Sequence, residues 1–213
     1  MQDPDDFSWL KQGSTSPADL ANSYDEWAAT YDETLAGWDY RSPADTARLL
    51  RAETASDATI LDAGCGTGLV GTALRAAGFT GPIDGFDIST SSLEQAARLN
   101  IYRKLKRVDL QTLPVALAVN SYDALVCIGV LTYVPDSAAV LREFARLVRP
   151  GGTVLVTQRE DMFQERAFAE TVKGLAEAGT FGKTVISEPQ PYLPDNPDFG
   201  TDIEVIYAAM TVS

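Results

Sequence analysis

The stretch from Leu61 to Gly68 reads LDAGCGTG; it overlaps the end of an apolar segment, residues 58–63, and directly precedes a segment of helical periodicity, residues 69–77. Glycine adopts backbone angles that other residues avoid, and it lets a ligand approach the backbone closely. The first turn of a helix also offers unpaired N–H groups. We therefore predict a strand, a glycine loop and a helix in succession, with a nucleotide-like ligand at the loop. A glycine-rich turn that binds no ligand is the alternative interpretation.

The alternation of strand and helix continues beyond this unit, a pattern typical of a parallel α/β sheet. Further strands are predicted at residues 82–86, 106–108, 121–129 and 153–157. The C-terminal part differs, because the candidate strands at residues 184–187 and 203–210 are separated by a proline-rich stretch instead of a helix. We predict a Rossmann-like, seven-stranded, mostly parallel sheet that ends in an antiparallel hairpin.

Two serine–proline pairs, Ser16-Pro17 and Ser42-Pro43, mark predicted helix starts near the N-terminus. Each pair offers a favoured N-cap residue followed by proline at the first helical position, where the missing N–H costs nothing. Four apolar and aromatic residues after the first pair are spaced by three and four. They are predicted to line one face of a single helix: Leu20, Tyr24, Trp27 and Tyr31.

Later helices have recognisable starts as well. Ser89 is a predicted cap for a helix that reaches Leu99, and Asp136 for a helix over residues 137–148; another is predicted near residues 164–178. We predict a single domain over residues 1–213, in which residues 1–54 form a helical cover and residues 55–213 the Rossmann-like core.

The composition excludes several classes of function. Thirty Asp and Glu against seventeen Lys and Arg give a net charge of −13, which repels nucleic acid. The chain has no histidine, so His-ligated zinc sites and Ser-His-Asp triads are excluded. Cys65 and Cys127 are far apart and are predicted to be free thiols, with no metal site. The sequence has no secretory signal and no apolar run long enough to cross a membrane, so we predict a cytoplasmic protein.

The glycines alone leave the cofactor open, because they fit both Gly64-x-Gly66-x-Gly68 and the dinucleotide pattern Gly66-x-Gly68-x-x-Gly71. Asp87, at the end of the second strand, is suitably placed to bind ribose hydroxyls in either cofactor class. Asp62 discriminates better, because a carboxylate near the head group repels pyrophosphate but suits the cationic S-adenosylmethionine. Alternatively, Asp62 caps the loop through backbone N–H groups. An NAD-dependent oxidoreductase is the less favoured alternative.

Four motifs together resemble those of class I S-adenosylmethionine-dependent methyltransferases, over nearly the whole chain. They are residues 61–71, Gly85-Phe86-Asp87-Ile88-Ser89, Asp109-Leu110 and Arg149-Pro150-Gly151-Gly152. More narrowly, three segments are similar to the methyltransferase-like proteins of the Williams-Beuren region family. These segments are Tyr24-Asp25-x-Trp27-Ala28-x-x-Tyr31-Asp32, residues 66–71 and residues 126–132.

The resemblance implies roles for individual residues. The glycines form the cofactor loop, Asp87 binds ribose, Ile88 lies against adenine, and Asp109 and Leu110 bind the adenine edge. Residues 127–129 line the path of the methyl group, and Tyr31 contacts the methionine end. With Asp62 and the loop cysteine, the predicted cofactor-binding set is Tyr31, Asp62, Gly64, Cys65, Gly66, Gly68, Asp87, Ile88, Asp109, Leu110, Cys127 and Ile128. Ordinary helix packing is the alternative for the aromatic residues, and a solvated turn for Asp109.

The methyl acceptor is expected above the carboxyl ends of the strands, where open α/β sheets bind ligands. Predicted substrate-binding residues are Tyr24, Trp27, Thr132, Arg159 and Tyr192, with Gln158 nearby. Arg159 could bind an acidic acceptor or form a surface salt bridge. Methyl transfer is an in-line displacement that depends mainly on positioning, so a strong base is optional. Candidate proton acceptors are Tyr133, Glu160 and Asp161.

We therefore predict a methyltransferase that acts on a small organic molecule. Residues 129–132 read GVLT and lack the Asn-Pro-Pro-Tyr-like segment of exocyclic-amine methyltransferases, which makes nucleobase substrates less favoured. A protein side-chain methyltransferase and a non-catalytic S-adenosylmethionine-binding protein are the alternatives.

Overall fold

In the computed structural model, which describes residues 7–12, 16–199 and 203–213, the strands form one mixed sheet. They are β1 Ile60–Ala63, β2 Ile83–Asp87, β3 Lys104–Arg107, β4 Tyr122–Cys127, β5 Val148–Arg159, β6 Phe181–Ile186, β7 Gln190–Pro191 and β8 Glu204–Val212. The order is β3-β2-β1-β4-β5-β8-β6, and the two-residue β7 pairs with β8. Strands β1 to β5 run parallel, whereas β8 is antiparallel to β5, β6 and β7. The predicted mostly parallel sheet with antiparallel C-terminal strands is confirmed, and the short β7 is an addition.

The helices of the described residues are α1 Ser8–Gln12, α2 Pro17–Trp27, α3 Tyr31–Gly37, α4 Ser42–Glu53, α5 Leu69–Ala76, α6 Thr90–Arg98, α7 Ser137–Leu147, α8 Glu160–Glu165 and α9 Phe168–Glu177. A 3-10 turn spans Leu131–Tyr133. Three predicted N-caps are confirmed, because the side chains of Ser16, Ser89 and Asp136 each accept a backbone N–H bond. Ser42 is not an N-cap. It is the first residue of α4, and Arg41 holds the cap position without a side-chain hydrogen bond.

The predicted single helix face through Tyr31 is wrong. Helix α2 ends at Trp27, a turn follows, and Tyr31 begins α3. The aromatic rings nevertheless stay together, with the ring centroids of Trp27 and Tyr31 4.6 Å apart. The predicted helix near residues 164–178 is likewise two helices, α8 and α9, separated at Ala167, whose φ is +47°.

Apolar clusters cover both faces of the sheet. One joins α7 and α9 to the sheet through fully buried rings such as Phe144 and Phe168, and the other joins α4 and α5 through Leu50 and Leu74. A third cluster joins the first three helices to the segment before β8: Leu10, Trp27, Leu35, Trp38, Leu193 and Phe199. These helices therefore pack against C-terminal residues, whereas α4 packs on the sheet. None of the helices within the described ranges is long and apolar enough to cross a bilayer.

Candidate active site

The glycine loop lies between β1 and α5, where the strand order reverses direction and open α/β sheets form a ligand crevice. The N–H groups of Gly64 and Cys65 donate to the carbonyl of Phe86 at 2.8 and 2.9 Å, which fixes the loop to β2. Gly66 has φ +52°, and a Cβ atom there would meet nothing within 4 Å. Since Gly66 also lines the cleft, its missing side chain leaves space there for a ligand.

Asp87 places a carboxylate in the wall of the same cleft. One oxygen accepts the N–H of Gly66 at 2.8 Å, and the other accepts the N–H of Ser89 at 2.9 Å. Burial raises the pKa of Asp87, although these backbone bonds oppose the rise. Each carboxylate oxygen can accept more than one hydrogen bond. Asp87 therefore holds the loop in place and retains acceptor capacity for ligand hydroxyls.

The cleft has a volume of about 750 Å³, which includes solvent-filled space at its open mouth. Most of its wall is apolar. Four of the predicted cofactor contacts line it beside Gly64, Gly66 and Asp87: Tyr31, Ile88, Asp109 and Leu110. Ile128 and Gly129 line it as well. The carboxylate of Asp109 accepts the N–H of Gln111 at 2.8 Å and the hydroxyl of Thr112 at 3.2 Å, so it also stabilises its own turn. An apolar wall with an acid at one end fits an adenosine moiety.

Several wall residues were not assigned to the site by the sequence analysis, although Phe86 and Val130 lie within its quoted motifs. They are Leu20, Phe86, Ser92, Val108, Gln111, Val130 and Val134. Most are apolar residues near strand ends or on the cover, and only the folded chain distinguishes them from core residues.

Four predicted cofactor residues are not among the described residues that line the cleft: Asp62, Cys65, Gly68 and Cys127. Gly68 has φ +101° at the N-cap of α5, where a Cβ atom would lie 2.5 Å from Cδ1 of Leu99. The thiol of Cys65 packs so close to Gly85 that a Cβ atom there would be 2.9 Å from the sulfur. Cys127 is fully buried in the core. Burial raises the pKa of both thiols, so they are protonated packing groups.

Asp62 is also behind the cleft wall, since its side chain is directed into the protein. One carboxylate oxygen accepts the hydroxyl hydrogen of Tyr102 at 2.6 Å, and the other is buried without a hydrogen-bond partner among the described residues. Burial raises the pKa of Asp62 to about 7. Among the described residues, Asp62 neither accepts an N–H of the loop at residues 64–68 nor lines the cleft, and its role at the cofactor stays a prediction.

The helical cover is attached to the cleft by two carboxylates. Asp25 on α2 accepts the hydroxyl of Ser89 at 2.6 Å and the N–H of Ser91 at 2.9 Å. Asp32 on α3 accepts the hydroxyl of Thr67, inside the glycine loop, at 2.5 Å. The sequence analysis did not assign a role to either acid. The available signal was the repetition of a Tyr-Asp pair after seven residues, at 24–25 and 31–32.

A second, smaller pocket of about 370 Å³ adjoins the cleft, and the two share Tyr24, Tyr31, Gly129 and Tyr133. Its other described lining residues are Leu10, Trp27, Leu35, Tyr40, Arg159, Tyr192, Leu193 and Phe199. The predicted substrate residues Tyr24, Trp27, Arg159 and Tyr192 therefore come together here. Thr132 does not join them, because its hydroxyl is buried against Gln158 at 3.2 Å.

Arg159 is 4% exposed, so its salt bridge joins a buried guanidinium to the more exposed carboxylate of Asp161. Its Nε donates to Asp161 at 3.0 Å, and Nη2 bonds the other oxygen of that carboxylate. Nη1 donates to the carbonyl of Leu10 at 2.5 Å and Nη2 to that of Lys11 at 3.2 Å, which ties α1 to the end of β5. Burial acts to raise the pKa of Asp161, but the guanidinium outweighs it and the pKa is lowered. Asp161 is thus a poor proton acceptor.

The hydroxyls in the second pocket belong to five tyrosines: Tyr24, Tyr31, Tyr40, Tyr133 and Tyr192. Burial raises the pKa of each, so all five stay protonated at neutral pH. Tyr133 is the one predicted proton acceptor among the described lining residues, while Glu160 and Asp161 begin α8 outside that set. The pocket can donate and accept hydrogen bonds, but the described side chains that line it include no base that would act at neutral pH.

Comparisons with known proteins agree with this geometry. Residues 54–188 match a family of methyltransferase domains. Methyltransferase-like protein 27 of Homo sapiens is 33% identical over 162 residues, which cover 73% of this chain and 65% of that protein. The ubiquinone biosynthesis O-methyltransferase of Thiobacillus denitrificans is 37% identical over 99 residues, or 45% of this chain and 41% of that enzyme. The chain thus spans less than two thirds of the length of these curated relatives.

A solved structure shares the fold as well. The TehB-like S-adenosylmethionine-dependent methyltransferase of Corynebacterium glutamicum superposes with a TM-score of 0.64 over 90% of this chain and all of that one, at 20% identity. The resemblance drawn from the sequence motifs is confirmed, and the dinucleotide alternative is not supported. S-adenosylmethionine-dependent methyltransferases have the same type of sheet and use the cofactor predicted from the motifs. Because the family match covers more than half of the sequence, the chain belongs to the methyltransferase domain family.

Proposed function

We propose that the chain transfers a methyl group from S-adenosylmethionine to a small organic molecule. The observation that carries this proposal is the small aromatic pocket that adjoins the cofactor cleft at Gly129. Its described lining is mostly aromatic and apolar with a few polar groups, as in sites for small molecules. The O-methyltransferase named among the relatives also supports a small acceptor, over less than half of its length.

The described residues fit the cofactor. Asp87 offers acceptors for ribose hydroxyls, the apolar wall fits adenine, and Gly66 leaves open space beside the loop. When bound, S-adenosylmethionine supplies an electrophilic methyl group on a sulfonium. We assign Asp109 and Leu110 to the adenine edge and Ile88 to its face, and all three line the cleft.

The roles of the remaining residues follow from their position between the two pockets. Tyr24, Tyr31 and Tyr133 line both, so their rings separate the reacting atoms from water and their hydroxyls can orient an acceptor. Positioning of this kind supplies much of the rate of a bimolecular displacement. We assign Tyr133 an orienting role instead of the role of a base, because its hydroxyl is buried and protonated.

The first experiment is a calorimetric titration with S-adenosylhomocysteine, run beside NAD in the same buffer. One-to-one binding of S-adenosylhomocysteine alone is expected, and binding of NAD alone would overturn the cofactor assignment. The second experiment supplies labelled S-adenosylmethionine with a metabolite extract and, separately, with an undigested protein extract. Label in the metabolite fraction supports the proposal. Label in protein favours a side-chain methyltransferase, and cofactor binding without transfer favours a non-catalytic binder.

A further inference from the structure

The pocket proposed to hold the acceptor has an unusual set of polar groups. Five tyrosine hydroxyls and one guanidinium line it, and the described lining residues include no carboxyl group. Resting on the proposed function above, we infer that the acceptor presents an oxyanion, a carboxylate or an acidic phenolate, to the methyl group. Arg159, with Tyr133 and Tyr192, is assigned to hold that anionic acceptor.

Arg159 has one donor left for such a ligand. A guanidinium has five N–H groups and does not lose its proton in proteins. Four of these N–H groups bond Asp161 and the carbonyls of Leu10 and Lys11, which leaves one Nη1–H without a partner among the described residues. Asp161 offsets most of the positive charge. The selectivity for an anion therefore comes from a directed hydrogen bond in a buried site, where charge-assisted bonds are strong.

Tyr133 and Tyr192 lie within the electrostatic reach of Arg159, which opposes the burial-driven rise of the pKa of both. The hydroxyls of Tyr24 and Tyr133 share a hydrogen bond. The hydroxyl of Tyr192 is near Gly129, since a Cβ atom added there would be 3.5 Å from its oxygen. Protonated phenols on the pocket wall can donate a hydrogen bond to the oxygen of the methyl acceptor. An oxyanion accepts such a bond more strongly than a neutral oxygen does.

The chemistry of the step favours the same acceptor. An oxygen lone pair forms the new C–O bond while the C–S bond breaks and its electron pair stays on sulfur. The oxyanion and the sulfonium both become neutral, and no proton is released. A neutral amine would instead become an ammonium ion beside Arg159, and its proton would need an acceptor. Burying a cation without a partner is costly, and the described lining residues offer none.

The test uses the full chain, labelled S-adenosylmethionine and a panel of single-ring aromatic scaffolds. Each scaffold is supplied as a carboxylic acid, a phenol, an amine and a primary amide. We expect transfer to the acids and to acidic phenols. We also expect kcat/KM for a phenol to rise with pH to a plateau, with the inflection at the acceptor's own pKa. Ring nitration lowers that pKa and should move the inflection with it.

The groups whose titration could imitate this profile are those that face the acceptor from the surrounding elements. They are Tyr24 on α2, Tyr31 on α3, Tyr133 on the 3-10 turn, Tyr40 and Tyr192 on loops, and Arg159 with Asp161. An inflection that stays fixed when the acceptor's pKa changes would assign the titration to one of these groups and overturn the inference. A preference for amines would overturn it as well, while leaving the proposed function intact. Cofactor binding without transfer to any scaffold would overturn the proposed function itself.

Variants locate the anion-binding groups. We expect Arg159→Gln to raise the KM for the carboxylic acid roughly tenfold or more, since a hydrogen bond to a charged group is lost. The affinity for S-adenosylhomocysteine should stay the same.

Arg159 also holds α1, so a second variant is needed that keeps those contacts. Tyr192→Phe removes one hydroxyl and should also raise the KM for the carboxylic acid. Arg149→Gln breaks an exposed ion pair with Asp123, outside the described linings of both pockets, and should change neither value. Equal KM values for all three variants and the unaltered chain would remove Arg159 and Tyr192 from acceptor binding.

Discussion

The glycine loop and the helical cover meet at the same cleft, but different kinds of contact hold them there. The conformation of the loop is specified by its own glycines at positive φ, and short backbone bonds join it to the adjacent strand. The cover is attached by carboxylates to groups far away in sequence: Asp25 to Ser89, 64 residues on, and Asp32 to Thr67, 35 residues on. A change in the loop should therefore affect the whole fold, whereas a change at the cover contacts should mainly affect docking and ligand affinity.

Gly64→Ala should have the largest effect on stability. Gly64 has φ +76°, and an added Cβ atom would lie 2.3 Å from Cγ2 of Val130. Left-handed strain and overpacking together should lower the free energy of unfolding by about 2 to 4 kcal/mol. Urea denaturation measures this loss.

Gly66→Ala is the matched control, because its Cβ atom meets no neighbour. It should cost only about 1 kcal/mol of stability, yet weaken S-adenosylhomocysteine binding. Equal stability losses would contradict the steric argument.

Asp87→Ala should have the largest effect on the ligand. It removes the carboxylate that accepts the N–H groups of Gly66 and Ser89, and with it the proposed ribose contact. We expect the affinity for S-adenosylhomocysteine to fall by about 1 to 3 kcal/mol, measured by calorimetry. Asp109→Ala is the comparison, because the bonds of Asp109 to Gln111 and Thr112 are exposed, whereas those of Asp87 are partly buried. Its effect on the affinity for S-adenosylhomocysteine should be smaller. A larger loss for Asp109→Ala than for Asp87→Ala would assign the ribose contact to Asp109 instead of Asp87.

The same contrast explains what could be predicted from the sequence. The loop, Asp87 and the caps Ser89 and Asp136 could be identified because each depends on a local residue pattern whose geometry is recurrent. The start of the cover at Ser16 could be predicted as well. Its break between α2 and α3 could not, because it follows from no strong local signal, and its docking depends on tertiary contacts. The surroundings of Asp62 could not be predicted for a related reason. Its position in the motif is clear, but the burial that directs it towards Tyr102 exists only in the folded chain.

Asp25→Ala tests the docking of the cover. The variant removes the acceptor for Ser89 and Ser91 at the N-terminus of α6, and it should weaken docking by about 1 to 2 kcal/mol. Limited proteolysis within residues 16–40 at neutral pH measures this effect. Glu26→Ala, an exposed neighbour on α2, is the control. If both variants are cleaved at the same rate, Asp25 does not hold the cover.

The pH dependence of docking has a definite sign. Burial acts to raise the pKa of Asp25, but the hydrogen bonds from Ser89 and Ser91 outweigh it and the pKa is lowered. An acid with a lowered pKa in the folded state contributes fully above the ordinary value for Asp, about 3.9, and its contribution is lost as the pH falls through the folded-state value. Protease sensitivity of the unaltered cover should therefore approach that of Asp25→Ala only in acid.

Tyr31→Phe should have the smallest effect, and it separates binding from packing within the cover itself. The ring packs against Trp27, with 4.6 Å between centroids, and Phe preserves that contact. Only the hydroxyl, in a residue that lines both pockets, is lost. The affinity for S-adenosylhomocysteine should fall by about 0.5 to 1.5 kcal/mol while the melting temperature is unchanged.

Trp27→Phe is the reciprocal variant, because Trp27 is buried in the aromatic cluster and lies outside the cleft. It should lower the melting temperature and spare the affinity. Parallel losses in both variants would mean that the cover acts on the ligand through its packing alone.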